Sequence, residues 1–380
     1  MRICLVTPYD LSHDGGVNRH VITLAQALRQ LGRHVQVLGP ASGDTPPRCD
    51  GLRGVVPVRA NGSRARVGLL ASKWAVRRYL ERGQFDLVHV HEPWVPGVAR
   101  HAVTSSSVPV IGTFHTFSED ESRMATAARR ALARPLRRLA LGIAVSNPAA
   151  EFAGRVFHGP MHVLPNGIDP VAFAEPHVIR PGGESGVAAR TPGPLRLLFV
   201  GRFDEPRKGL RYLLAAVALL RERGRDLELR VVGHGDPAAF GALAARSGAR
   251  FIGRVDDREL VSMYHWSDVF CAPSTHGESF GIVLIEAMAS GRAVVASDIP
   301  GYRDATAGAA VLVPPADPEA LAAGILRAAD DQHARYGLVS RGLQRAHQVA
   351  WSRVALSLND LYEETAARCG AGRDAVGVPA

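Results

Sequence analysis

"LRLLFVGRFDEPRKGLRYLLAAVALLRERG", residues 195–224, joins a short apolar run to a longer segment of helical periodicity. The run 195–200 is typical of a buried strand, and the segment 209–224 has the length and spacing of a helix. Apolar runs and helical segments alternate in the same way over the rest of the chain. This β-α-β rhythm predicts an α/β fold, in which helices cover both faces of a parallel sheet.

Two series of such units divide the chain. A length of 380 residues exceeds what one core usually holds. The stretch 171–194 is rich in proline and glycine and lacks periodicity, so we predict a linker there. Doubly wound domains are expected at 1–170 and from 195 onward, with a disordered tail at 369–380. Ligands of such sheets bind at the carboxyl ends of the strands, so we expect a site in a cleft between the domains.

The positive charge of the chain is concentrated in its first half. Residues 1–170 contain 21 Lys and Arg against 12 Asp and Glu, whereas residues 171–380 contain 24 of each kind. This asymmetry suggests an anionic partner, such as a membrane surface, a phosphorylated substrate or nucleic acid, although a merely soluble surface would also explain it. No apolar run is long enough to span a bilayer, and no signal peptide is evident, so a cytoplasmic location is expected.

Metal and disulfide chemistry have little support in the sequence. The four cysteines are scattered, with no CxxC pair and no Cys/His cluster along the chain. The acidic pairs and triplets do not form a D-x-D motif. We therefore expect neither a disulfide framework nor a zinc site, and no metal cofactor.

A lysine marks the loop that follows the first strand of the second domain. Only Lys73 and Lys208 are lysines among 45 basic residues. Lysine is a compact point charge and arginine a wide planar fork, so a crowded anion site can require lysine. Chance retention is the alternative explanation. Together with Arg202, Lys208 forms a candidate cationic pair for a diphosphate.

Two further stretches follow predicted strands. In "GGVNRH", residues 15–20, a glycine pair precedes a helix whose free N–H groups suit an anion, although a tight turn would explain the glycines too. In "HGESFGIVLIEAMASG", residues 276–291, Glu278 and Glu286 are eight residues apart. We expect them two turns apart on one helix face. Carboxylates on such an apolar helix are costly unless they are functional or paired.

Together these stretches resemble the retaining glycosyltransferases of family four, which have the GT-B fold. "HEP" at 91–93, "FHT" at 114–116, "PNG" at 165–167, "DEPRKG" and "GESFGIVLIEAMASG" are most similar to bacterial phosphatidylinositol mannosyltransferases. The resemblance extends to about residue 365. It implies that the final helix, from about 349 to 368, returns to the first domain, and that the second domain spans 195–348.

The resemblance also implies roles for single residues. The donor is a nucleotide diphosphate sugar, GDP-mannose in the closest group. Arg202 and Lys208 would neutralise its diphosphate, Glu278 would hold the sugar hydroxyls, Glu286 the ribose and Asp257 the base, while His115 would contact the transferred sugar. In the first domain, the backbone at Gly16 would approach the phosphate. In the second domain, the N–H groups at the start of the helix after Glu278 would do the same. These helix residues are Ser279, Phe280, Gly281 and Ile282.

The acceptor and the membrane are assigned to the first domain. Six residues match positions that line an inositol-phosphate pocket in the family, namely Tyr9, Asn18, Asn61, Ser63, Arg66 and Thr116. Beyond them, "GLLASKWAVRRYLERG" carries a tryptophan among cations on the face opposite to its apolar residues. This pattern favours an anionic membrane surface, or else a solvated basic face. The membrane residues are Lys73, Trp74, Arg77, Arg78 and Arg82, and Arg123, Arg130, Arg134, Arg137 and Arg138 form a second basic stripe.

Two departures from the family pattern leave alternatives open. Asp120 and Leu260 each stand where the phosphatidylinositol enzymes have a lysine, near the acceptor phosphate and the base respectively. A UDP-sugar transferase with another lipid or small acceptor is therefore the main alternative, and a silent sugar-nucleotide-binding GT-B protein is another. A nucleic-acid-binding protein would leave the Glu278 helix unexplained, and no G-x-G-x-x-G follows the first strand as in dinucleotide dehydrogenases.

Overall fold

The structure is a computed structural model that describes residues 1–13, 15–60, 63–118, 133–174 and 193–374. The side chains of 59–60, 63–64 and 370–374 lie outside this description. The chain divides into two compact units, Met1–Gly167 with Trp351–Ala380, and Ile168–Ala350. The predicted domains were 1–170 and 195–348, with the chain returning to the first domain from about 349. In the structure the units divide between Gly167 and Ile168, and again between Ala350 and Trp351. Most of the segment expected to be a linker lies outside the described residues.

The first unit contains a sheet of seven parallel strands in the order β3-β2-β1-β6-β7-β8-β9. Its strands are nearly continuous apolar runs because both faces are covered, as in all-parallel sheets. An antiparallel hairpin, β4–β5, is separate from this sheet. The strands are β1 Arg2–Val6, β2 His34–Pro40, β3 Cys49–Leu52, β4 Val56–Ala60, β5 Ser63–Val67, β6 Leu87–His91, β7 Val110–Phe114, β8 Leu139–Ala144 and β9 Met161–Val163.

Helices cover this first sheet. They are α1 Gly16–Gln30, α2 Lys73–Gly83, α3 Val98–Ser105, α4 Asn147–Gly154 and, from the end of the chain, α13 Trp351–Asp374. Val21, Leu24 and Leu28 of α1 pack into the core and are at most 1% exposed. Helix α13 packs beside α1, where Arg33, just past α1, donates from Nε to Asn359 Oδ1 at 2.6 Å.

The second unit repeats the architecture with six parallel strands in the order β12-β11-β10-β13-β14-β15. All six strands fall on runs that the sequence predicted as strands. They are β10 Leu195–Val200, β11 Leu227–Val232, β12 Arg250–Gly253, β13 Val269–Ala272, β14 Ala293–Ser297 and β15 Val311–Val313. The helices are α5 Pro170–Phe173, α6 Leu210–Glu222, α7 Gly241–Ser247, α8 Asp257–Trp266, α9 Ile282–Ala289, α10 Pro300–Thr306, α11 Pro318–Asp330 and α12 Gln332–Gln348.

The end of the chain differs from the prediction. Helix α13 runs to Asp374, so residues 369–374 are helical and the expectation of a disordered tail is wrong for them. The preceding part of this helix is held by packing, with Ala355, Leu358 and Tyr362 buried in the core of the first unit, and the helix continues from there. Residues 375–380 lie outside the described part of the chain. Within that part, no helix combines the length and the apolar character needed to cross a bilayer.

Candidate active site

The loop after β10 brings two cations to one tight turn. The turn is a 3-10 helix, Pro206–Lys208, that ends at Gly209. Gly209 has a φ of 70°, and a Cβ at this position would lie 1.9 Å from the carbonyl oxygen of Pro273. Only glycine fits such a backbone at such a distance. The turn is therefore held against the loop that follows β13.

Glu278 lies in the loop after β13, and its carboxylate contacts both cations. Lys208 Nζ lies 2.7 Å from Glu278 Oε1, and Arg207 Nη1 lies 2.6 Å from the same oxygen. Ser274 Oγ donates to this oxygen at 3.3 Å. Burial opposes ionisation of Glu278, but the charges of Lys208 and Arg207 outweigh it and lower the pKa of the carboxyl. Glu278 is thus a carboxylate that two cations neutralise at neutral pH.

Glu205 extends this arrangement to Arg202. The Glu205 carboxylate is buried, pairs with Arg202, and lies 2.7 Å from Arg207 Nη2. The Arg202 side chain remains 46% exposed. We call the resulting alternation of charges the charge chain; its members are Arg202, Glu205, Arg207, Glu278 and Lys208. Sequence analysis missed Glu205 and Arg207, although both lie within the "DEPRKG" motif beside the cations it selected.

Glu278 and Glu286 do not share a helix, so that expectation is wrong. Helix α9 begins at Ile282, and Glu278 lies in the loop before it. Gly281 has a φ of 89°, a left-handed conformation that separates the loop from the helix. Glu286 is buried, and its Oε2 accepts a hydrogen bond from the Tyr264 hydroxyl at 2.7 Å. Pairing with tyrosine therefore accounts for the buried Glu286 carboxylate.

The backbone between Glu278 and α9 is held from two sides. Ser279, Phe280 and Gly281 were expected to be helical but lie in the loop before Ile282, where the Phe280 side chain is buried. A Cβ at Gly301 would lie 2.0 Å from the Glu278 carbonyl oxygen, so α10 approaches this segment closely. The first N–H groups of α9, starting at Ile282, have no acceptor within the helix and form its positive end.

The residue expected to contact the base lies at the start of α8. Asp256 caps this helix, since its Oδ1 accepts from Glu259 N at 2.8 Å while Glu259 Oε2 accepts from Asp256 N at 3.3 Å. Asp257 follows in the first turn and is exposed, and Leu260 lies one turn further along and is half-buried. The contact of Asp257 with a base stays a prediction.

In the first unit, Asn18 fixes the loop after β1. Its amide donates to the Asp10 carbonyl oxygen at 2.8 Å, and its Oδ1 accepts from Thr7 Oγ1 at 2.8 Å. The side chain is 4% exposed. Asn18, which we expected to line the acceptor pocket, therefore has both polar atoms bound to this loop. Tyr9, in the same loop, is half-buried, and burial raises the pKa of its hydroxyl.

Arg66 lies in a small polar cluster that sequence analysis did not anticipate. Asp10 Oδ2 lies 3.1 Å from His13 Nδ1 and 3.5 Å from Arg66 Nε. Arg66 Nη1 lies 2.7 Å from His13 Nε2. Since Nδ1 faces a carboxylate and Nε2 faces a guanidinium, the imidazole carries its proton on Nδ1. Of the other predicted acceptor residues, Asn61 lies outside the described residues and so does the side chain of Ser63.

The glycine pair lies at the start of α1, where Gly15 is the N-cap residue. Gly15 is extended, with a φ of −166°, and Gly16 begins the helix, so neither requires a left-handed backbone. No described atom lies within 4 Å of a Cβ built at either position. Among the described residues, neither a left-handed backbone nor a close contact requires glycine here. Close approach by a ligand to the Gly16 backbone remains as an explanation.

His115 belongs to a buried group of imidazoles at the ends of β6 and β7. Its Nε2 lies 2.9 Å from His91 Nδ1, and its ring centroid lies 4.8 Å from that of His20. Burial lowers the pKa of His91 and of His115 well below the usual value, so both rings are neutral at pH 7. Beside this group, Thr116 Oγ1 donates to Glu92 Oε1 at 2.7 Å.

The same imidazoles form a cluster in space that the spacing of histidines along the chain does not reveal. One nitrogen each from His20, His91 and His115 lies within 4.8 Å of the others. Neutral imidazole is the form that binds zinc and related ions. The three residues are far apart in the sequence, and the packing of α1 against neighbouring β6 and β7 brings them together. These side chains could hold a transition metal, although the hydrogen bond between His91 and His115 would compete with its ligation.

Trp74 of α2 is exposed to solvent, as the sequence pattern predicted. Val76 and Leu80 are buried against the unit, whereas Trp74 is 65% exposed. The Arg78 guanidinium lies 4.8 Å from the Trp74 ring centroid. Leu70, just before the helix, is 76% exposed and was not predicted. The predicted cations are also exposed, namely Lys73, Arg77, Arg78 and Arg82. In the second basic stripe, residues 119–132 lie outside the described part, and Arg134, Arg137 and Arg138 are exposed.

Two family models match the chain and define its class. Residues 14–171 match Glycosyltransferase Family 4, and residues 194–331 match Glycosyl transferases group 1. A sucrose-phosphate synthase from Thermosynechococcus elongatus has the same fold, with a TM-score of 0.73 and 25% identity over 97% of this chain and 100% of that one. The two parallel-sheet units are thus those of a GT-B glycosyltransferase, and the expected fold is confirmed.

Relatives of greater similarity narrow the class. The phosphatidyl-myo-inositol mannosyltransferase of Mycolicibacterium smegmatis is 38% identical over 96% of this chain and 94% of its own length. That of Mycobacterium tuberculosis is 38% identical over 96% and 97% respectively. The chain belongs to the phosphatidyl-myo-inositol mannosyltransferase family. It is therefore a hexosyltransferase, as the sequence motifs predicted.

Proposed function

We propose that this chain transfers mannose from GDP-mannose to phosphatidylinositol at the surface of an anionic membrane, with retention of the anomeric configuration. The family supports the sugar and the acceptor. The observation that carries the proposal is the charge chain, in which Lys208 and Arg207 hold the ionised Glu278. An alternating set of fixed charges suits a ligand that has an anionic diphosphate beside neutral sugar hydroxyls.

The charge chain would act when the donor loses its nucleotide. The bond between the anomeric carbon and the diphosphate oxygen breaks, and negative charge develops on the departing diphosphate. Arg202 and Lys208, which the structure pairs with Glu205 and Glu278, would stabilise that charge without a metal ion. Glu278 would accept hydrogen bonds from the sugar hydroxyls. The positive end of α9 would contribute to the same electrostatic effect.

The acceptor hydroxyl would attack on the face from which the diphosphate leaves. Its oxygen forms the new bond to the anomeric carbon, and its proton passes to the departing diphosphate. No side-chain nucleophile is needed for retention by this route. Arg66, with His13 and Asp10 fixing its orientation, would bind the lipid phosphate, while Thr116 and Tyr9 would face the inositol.

The exposed face of α2 would contact the membrane. Trp74 and the exposed Leu70 offer apolar area, and the surrounding cations suit anionic headgroups. Arg78 lies against the Trp74 ring, so the cation and the aromatic side chain present one surface. Peripheral attachment at the cytoplasmic leaflet follows from this proposal.

A UDP-sugar donor is the second candidate, because Leu260 stands where a lysine near the base was expected. Calorimetric titration of GDP and UDP into the purified protein with EDTA present tests the choice. Tighter binding of GDP is expected if Asp257 contacts the N1–H and N2–H groups of guanine. Tighter binding of UDP would contradict the donor assignment and would direct the search to other sugars and acceptors.

A further inference from the structure

Glu92 has an unusual position at the end of β6. It is the middle residue of "HEP" and is fully buried. Its φ is 50°, a left-handed backbone that a residue with a side chain adopts at a cost. Such conformations persist only where the surroundings enforce them. The proposed mechanism gives Glu92 no task, so both its burial and its backbone need an explanation.

The Glu92 carboxyl holds two residues that the proposed reaction uses. Its Oε1 accepts from the backbone N–H of His115 at 2.8 Å and from Thr116 Oγ1 at 2.7 Å. The Trp94 side chain is a further hydrogen-bond partner. His115 is expected to contact the transferred sugar, and Thr116 the acceptor. One oxygen atom therefore fixes the junction between these two neighbours.

The described surroundings of the carboxyl supply hydrogen-bond donors but no opposite charge. Burial raises the pKa of Glu92, although hydrogen bonds from Thr116, His115 and Trp94 oppose that effect. Among the described residues, no Lys or Arg forms an ion pair with it, and its Oε2 has no hydrogen-bond partner. The donors of both His115 and Thr116 bind Oε1, so an uncharged oxygen in that place could receive them equally.

We infer that Glu92 is a positioning residue of the transfer reaction, which rests on the proposed function, and that its acceptor oxygen rather than its negative charge fixes His115 and Thr116. Glutamine keeps that oxygen, and alanine removes it. The pair Glu92→Gln and Glu92→Ala thus separates the two properties. Glu151→Ala removes an exposed carboxylate from the same unit and serves as the control.

The first measurement is hydrogen exchange of the peptide that contains His115 and Thr116. Exchange in Glu92→Gln should match the wild type, and exchange in Glu92→Ala should be faster by about 10-fold or more, because the His115 amide loses its acceptor. This result does not depend on which sugar or acceptor the enzyme uses. Equal exchange in Glu92→Ala and in the wild type would overturn the inference. This conclusion would hold whether or not the proposed function is correct.

The second measurement is mannosyl transfer, with kcat calculated per GDP-binding site so that misfolded protein is not counted. We expect Glu92→Ala to lose roughly 100-fold in kcat with little change in KM for donor, the usual effect of misplacing a reacting group. Glu92→Gln should stay within about 5-fold of the wild type, and Glu151→Ala should equal it. Loss of kcat in Glu92→Gln as large as in Glu92→Ala would show that the charge is required and overturn the inference.

Discussion

Lys208 Nζ and Arg207 Nη1 contact the same oxygen, Glu278 Oε1, at 2.7 and 2.6 Å. Two guanidinium groups would not fit as easily around one carboxylate oxygen, since each is a wide planar fork. A single ammonium beside one guanidinium solves this packing problem. The contact gives a physical reason for a lysine in a chain that otherwise uses arginine almost throughout.

Lys208→Arg should therefore impair the enzyme although it keeps the charge. We expect a loss of roughly 10-fold in kcat/KM for the donor, and a loss of about 100-fold for Lys208→Met, which removes the cation. Steady-state transfer assays measure both. Arg223→Lys, an exchange at an exposed ion pair of the same unit, is the control and should have no effect. Full activity of Lys208→Arg would contradict the crowding argument.

Substitution of Gly16 should affect ligand binding without destabilising the protein. A Cβ at this position meets no described atom, so Gly16→Ala should leave the melting temperature unchanged or raise it slightly. The methyl group would, however, keep a phosphate away from the backbone. We expect kcat/KM for the donor to fall by about 10-fold or more, because the phosphate would be held away from its productive position. Gly154→Ala, another open glycine, is the control, and unchanged kinetics in Gly16→Ala would exclude close approach.

The stability of the protein should fall in mild acid because of buried histidines. Burial lowers the pKa of His89 to about 3. Below about pH 6.5 the unfolded chain gains a proton on this ring that the folded chain cannot take, so the free energy of unfolding decreases as pH falls. The slope is up to about 1.4 kcal/mol per pH unit for one such group.

Denaturant titrations at pH 7, 6 and 5 test this. The variant His89→Gln lacks the titrating ring, so its free energy of unfolding should depend less steeply on pH than that of the wild type. The comparison uses the slope, and a general loss of stability in the variant does not affect it. Equal slopes would show that His89 is not held neutral in the folded protein.

Membrane binding should depend on the exposed face of α2. Replacing Trp74, Arg78 and Arg82 by alanine removes the aromatic side chain and two cations. Each cation near an anionic surface contributes about 1 kcal/mol. We therefore expect the affinity for anionic liposomes, measured by sedimentation, to fall by roughly 30-fold or more. Arg223→Ala with Arg246→Ala removes equal charge from exposed positions of the other unit. If both variants bound liposomes alike, α2 would not be the attachment site.

The sequence revealed the fold because its signals are local. The apolar run 195–200 is a buried strand in the structure, as its composition predicted. The placement of Glu278 failed for a related reason. The apolar residues after it suggested a helix, but periodicity does not show where a helix begins, and Gly281 interrupts the backbone just before Ile282.

Side-chain contacts between residues far apart in the sequence could not be predicted. The contact between His91 and His115 depends on β6 lying beside β7, and the contact of His20 depends on α1. Glu205 was within a motif that we had selected, yet only its contacts in the structure show that it pairs with Arg202 and Arg207. The β4–β5 hairpin was missed although an Asn-Gly pair at 61–62 is typical of a hairpin loop.

The most direct measurement is the incubation of the purified protein with labelled GDP-mannose and phosphatidylinositol liposomes in EDTA, followed by extraction of the lipids. The account predicts labelled mannose in the phosphatidylinositol fraction, and a loss of about 100-fold or more in Glu278→Gln. A chain that gives no mannolipid from GDP-mannose, or whose Glu278→Gln variant transfers mannose as well as the wild type, would contradict it.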